Sequence, residues 1–168
     1  MTVLQEQTAQ EVSSARDLIA SEAFTGVVAT VLDNNTDMDR DVAERIVNEA
    51  LKFVAACSQF PGERLRPSRV VDEGWHALIL HTGVYAGLCR SLHRFVHHVP
   101  ERPDTSRHDP GALRRTMARI TDAGYAVDVR LWLPPTDGTI PVAATCEHSE
   151  PPPAGCGADC SNTGPNAA

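Results

Sequence analysis

The sequence predicts an all-α fold, a compact bundle of about five helices with an extended C-terminal arm and a disordered Pro/Gly/Cys tail. Three observations predict it. Apolar residues recur at helical spacing from the N-terminus to Gly124. Only one short stretch alternates with period two, and no second candidate strand stands ready to pair with it. Apolar residues make up 42% of the 168 and aromatics only 5%, so the core is mainly aliphatic. That length suits one helical domain over 1–133 and a flexible tail over 134–168.

Leu4, Val12, Ala15, Leu18 and Ile19 mark an amphipathic N-terminal helix. Phe24, Val27, Val28, Val31 and Leu32 form the face of a second, and Asn34-Asn35-Thr36 breaks it, because short polar side chains compete for backbone hydrogen bonds. Thr36 is placed to cap a third helix, with Asp37, Asp39 and Asp41 near its positive end. Its inner face runs Val42, Ile46, Ala50, Val54 and Cys57, and Pro61-Gly62 stops it. Pro67-Ser68 begins a fourth helix that continues toward Cys89. Asp109-Pro110 begins a fifth, with Leu113, Met117 and Ile120 inward and Gly124 at its end. Tyr125, Val127, Val129 and Leu131 then alternate as an extended arm lying against the bundle.

The net charge of −7 is uneven: −6 over 1–60 (10 acids, 4 bases), +3 over 61–130 (8 acids, 11 bases) and −4 over 131–168 (4 acids, no base). This argues against nonspecific nucleic-acid binding, which needs a dense basic patch. Lys52 is the sole lysine beside 14 arginines, a bias that reads as a GC-rich bacterial genome. The apolar stretches fall short of the roughly 20 residues that span a bilayer. Residues 1–11 hold two glutamates and no base, unlike the start of a signal peptide. The expected setting is therefore cytoplasmic, with no membrane and no nucleic-acid partner. Five cysteines, an odd number, argue against a disulfide framework, and Cys57 and Cys89 read as core thiols.

Chemistry concentrates in 68–100, which holds His76, His81, His93, His97 and His98, five of the seven histidines. Asp72 and His76 are four apart and share one helical face. That spacing suits two ligands of one metal, or one carboxylate orienting one imidazole. If His97 or His98 folds back to His76, the set becomes one carboxylate with two or three imidazoles, which suits Zn, Fe, Mn or Ni. Adjacent residues on a helix point about 100° apart, so one of the two histidines is expected inward. A buried Asp–His hydrogen bond with Trp75 packed beside it is the structural alternative. His81, Tyr85, Cys89 and His93 drift round the helix and read as a mixed core and boundary face.

The string Val71-Asp72-Glu73-Gly74-Trp75-His76, followed by Ile79-Leu80, Thr82, Tyr85, Cys89 and His97-His98-Val99-Pro100, resembles the signature of the glycine-rich domain-containing proteins of plants and their short bacterial relatives. The resemblance covers 33 residues. It implies a mostly helical intracellular domain in which Asp72, His76, His97 and His98 act together, supported by Trp75, Tyr85 and Cys89. Leu78 stands where that pattern has a second histidine, and His81 where it often has an acid.

In the tail, Cys146, His148, Cys156 and Cys160 are the ligand types of a small structural zinc site, at a spacing that fits no standard zinc knuckle or ribbon. Reduced thiols on a flexible tail are the alternative. No HExxH, phosphate-binding glycine loop or dinucleotide fingerprint is present in the sequence. Three functions are carried forward. One is a metal-dependent enzyme or metal-binding protein acting on a small molecule or peptide. The second is a non-catalytic module that binds a protein partner. The third is a redox or metallochaperone role for the tail thiols.

Overall fold

The computed structural model describes residues 14–98, 100–101, 109, 111–134, 136–143 and 147–148. Among the described residues five α-helices carry the fold: α1 (Ser21–Asn34), α2 (Arg40–Gln59), α3 (Arg69–Leu80), α4 (Thr82–Ser91) and α5 (Ala112–Asp122). Short 3-10 turns lie at Ala15–Leu18 and Val129–Leu131. Two two-residue strands, β1 (Pro100–Glu101) and β2 (Glu147–His148), pair antiparallel with Pro100 opposite His148.

The number of helices agrees with the sequence reading, but their identities differ. Within its described part, the first expected helix is only the turn Ala15–Leu18; residues 1–13 lie outside the described residues. The expected fourth helix is two helices. The backbone leaves helical geometry at His81 (ψ 64°), whose N–H returns to the Leu78 carbonyl at 3.2 Å. The His81 imidazole reaches α1, with Nε2 2.8 Å from Thr30 Oγ1. The residue at the head of α2 is Asp39 rather than Thr36, without a side-chain cap. Helix α5 starts at Ala112; Asp109 instead closes the preceding turn, accepting the Gly111 N–H at 2.9 Å and pairing with Arg115.

Helix α2 is the centre of the bundle, burying Ile46, Val47, Ala50, Leu51, Phe53 and Val54. Burial of each large aliphatic side chain stabilises by about 1.5–3 kcal/mol. Helix α3 crosses α2 at Gly74, where a Cβ would lie 2.8 Å from the Ile46 carbonyl oxygen and 3.1 Å from Ala50 Cβ. Only glycine lets the two backbones approach so closely. The turn after α5 uses Gly124 at φ +92°, a left-handed residue that ends the helix.

Beyond Gly124 the chain is extended and then coils at Val129–Leu131, which turns Val129 outward (68% exposed) while Leu131 is buried. A polar strip on α2 holds this arm. Arg45 pairs with Asp128 at 2.6 Å. Lys52 Nζ donates to the Ala126 carbonyl at 2.6 Å and to Glu49, also at 2.6 Å. Glu49, wholly buried, accepts the Trp132 indole N–H at 2.8 Å. Ser68 Oγ donates to the Leu131 carbonyl at 2.5 Å while accepting the Val71 N–H, so the arm also braces the start of α3. Among the described residues no helix is long and apolar enough to cross a membrane.

Candidate metal centre

Ser68 caps α3, and Asp72 lies at the end of its first turn. One turn later His76 shares its face, with Nδ1 3.7 Å from Asp72 Oδ2. That distance is too long for a hydrogen bond. The second imidazole arrives from the far side of α4. After Ser91 the chain reverses at His93, which adopts φ +58°. The reversal is closed by His93 N–H to the Arg90 carbonyl and Arg94 N–H to the Cys89 carbonyl, both at 3.0 Å. A left-handed residue closing a helix end in this way is usually glycine.

The returning segment is held by Tyr85. Its hydroxyl donates to the Val96 carbonyl and accepts the Trp75 indole N–H at 3.1 Å. Burial raises the Tyr85 pKa far above its ordinary value, so the phenol stays a donor. His98 then lies with its ring 4.5 Å from Trp75 and 4.4 Å from His76. His98 Nε2 is 3.0 Å from Asp72 Oδ1.

Asp72, His76 and His98 thus offer one donor atom each, all within 4.8 Å of one another. Zinc–ligand bonds of about 2.0–2.1 Å place tetrahedral neighbours about 3.4 Å apart. The separations of 3.0 and 3.7 Å about Asp72 straddle that spacing. The side chains of Asp72 and His98 are 2% and 8% exposed and that of His76 is 30% exposed, so the cluster meets solvent through His76. Desolvation lowers the His76 pKa and the neighbouring His98 acts the same way, while Asp72 and Glu73 pull against them. The result favours the neutral imidazole, the form that binds a metal.

His97 points elsewhere: its ring packs on Phe95 at 4.6 Å, and the convergent group does not include it. Burial raises the Cys89 pKa, which keeps the thiol protonated beside Tyr85. Of the tail ligands, Cys146, Cys156 and Cys160 lie outside the described residues, and His148 is described only through its backbone pairing. Sequence reasoning missed Glu73, which is 2% exposed directly beside Asp72 and accepts the Asn35 Nδ2–H at 3.0 Å. The Asn34-Asn35 pair, read in the sequence as a helix breaker, gave no sign of this contact.

A family profile described as UCP032817-like matches residues 15–123, which contain all five helices and the three convergent donors. This overturns the resemblance to glycine-rich domain-containing proteins, which rested on 33 residues against the 109 spanned by the profile. In physical terms those residues serve needs internal to this fold: Gly74 the crossing of two helices, Trp75 and Tyr85 the anchoring of a returning segment. No curated protein and no solved structure matches the chain.

Proposed function

This chain belongs to the UCP032817-like family, and we propose that it is a metal-binding protein whose Asp72, His76 and His98 hold one divalent cation. The observation that carries this is the convergence of three metal-ligating side chains, drawn from two segments, within 4.8 Å. Two imidazoles and one carboxylate suit Zn, Fe, Mn or Ni. Three protein ligands leave at least one coordination position open. The greater exposure of His76 supports approach of a small molecule or peptide from that side. The cation would act there as a Lewis acid or activate a water.

The test is elemental analysis of untagged protein purified without added metal, then titration with Zn(II), Mn(II), Ni(II) and anaerobic Fe(II). About one equivalent is expected for the wild type and for His97→Ala, and none for His76→Ala. A second reading rests on the 3.0 Å contact of His98 with Asp72, itself a complete hydrogen bond. There the cluster is structural and the protein is a non-catalytic interaction module. Sub-stoichiometric metal, with thermal stability unchanged by metal or chelator, selects that second reading.

A further inference from the structure

We infer that the Tyr85 hydroxyl is the positioning group of this centre, setting His98 against Asp72 from outside the ligand set; its metal-affinity consequence rests on the metal reading above. The hydroxyl is bonded on both sides to residues within two positions of the ligands. It accepts from Trp75, the neighbour of His76, and donates to the carbonyl of Val96, two residues before His98. Tyr85 is 4% exposed and Val96 8% exposed, so little water is available to replace either bond.

The need for such a group follows from the path of the chain. His98 comes from a segment with no helical or sheet register of its own, entered through a left-handed residue at His93. Nothing in regular backbone geometry specifies where its ring falls. Tyr85 lies on α4 and Trp75 on α3, so the hydroxyl refers the returning segment to both helices at once. The Trp75 ring, held by the same bond, forms one wall against which His98 packs. Groups that orient metal ligands without touching the metal commonly govern affinity by about 10–100-fold.

The variant is Tyr85→Phe, which keeps the ring that packs edge-on against Phe95 at 5.5 Å and removes only the oxygen. Ile120→Val, a buried change on α5, serves as a control for general loss of stability. Two measurements are made. In metal-free protein at pH 8, the ring nitrogen resonances of His98 are expected to report one fixed ring environment in wild type and in Ile120→Val. In Tyr85→Phe they should move toward averaged values. With Co(II) as probe, Tyr85→Phe should bind about 10–100-fold more weakly and with altered visible bands, while Ile120→Val keeps the wild-type spectrum. Unchanged His98 resonances in Tyr85→Phe overturn the assignment. So does a Co(II) affinity loss no greater than that of Ile120→Val. If wild type binds no Co(II) but His98 moves in Tyr85→Phe, positioning stands and the metal reading fails.

Discussion

His76 and His98 flank one carboxylate but are held by it differently, and that difference separates their roles. His98 makes a hydrogen-bond contact of 3.0 Å to buried Asp72, whereas His76 stands 3.7 Å away and partly in solvent. Removing His98 strips Asp72 of a buried partner, a loss of about 1–3 kcal/mol in metal-free protein. Urea unfolding with excess chelator should therefore show His98→Ala clearly less stable than His76→Ala. Under the proposed metal binding, added metal should stabilise the wild type and neither variant. A second expectation concerns pH. Burial lowers the folded-state pKa of His76 below its ordinary value of 6.5, so the unfolded chain takes up this proton first. Stability then declines as pH falls below about 6.5 and levels off once folded His76 is itself protonated. In metal-free protein the Tm drop between pH 7.5 and 5.5 should be smaller in His76→Gln than in wild type. An equal drop would show that His76 does not carry this dependence. The spacing of four made the Asp72–His76 face legible in the sequence. The choice of His98 over His97 was not legible, because it depends on the left-handed turn at His93, and histidine there gives no glycine signal.

Among the elements, glycine has opposite meanings in α3 and α4. A methyl at Gly74 would press on the Ile46 carbonyl at 2.8 Å and on Ile46 Cγ2 at 2.9 Å, so α3 must move off α2. Overpacking of this kind costs about 1–3 kcal/mol. At Gly87, within α4, a methyl would meet only the far end of Arg90 at 4.0 Å. There the change gains the helix propensity of alanine, up to about 1 kcal/mol. Gly74→Ala should thus lower, and Gly87→Ala raise, the urea midpoint. Because Gly74 lies between Asp72 and His76 on α3, the proposed metal binding should be weaker in Gly74→Ala and unchanged in Gly87→Ala. The apolar faces of α1, α2 and α5 were legible because each helix packs its own period against the core. The break between α3 and α4 was not, because the apolar pattern runs on through His81. At the break the His81 imidazole makes a tertiary contact with Thr30, which no local periodicity encodes.

For the molecule as a whole, the arm after α5 is a structural part of the bundle, and buried charge holds it there. Arg45, Glu49 and Lys52 are spaced four and three along one face of α2, and the apolar periodicity that defines that helix says nothing of where they point. Instead Glu49 is wholly buried and joins three groups: Lys52 at 2.6 Å, the Trp132 indole at 2.8 Å and the Asp128 N–H at 3.3 Å. Lys52→Met leaves the carboxylate without its cation. Breaking a buried pair from one side costs about 3–5 kcal/mol. Replacing both partners of such a pair by apolar residues is often nearly neutral. Here it should not be, because Glu49 also takes the proton of a buried indole. In Lys52→Met/Glu49→Leu the Trp132 N–H loses its acceptor, a cost of about 1–3 kcal/mol. The double variant should therefore remain below wild type in urea unfolding, and its Trp132 fluorescence should report loosening of the arm. Adding Trp132→Phe removes the orphaned donor and should recover part of the loss. Full recovery in the double variant alone would mean that the arm is held by apolar packing of Leu131 and Trp132, with the charges incidental.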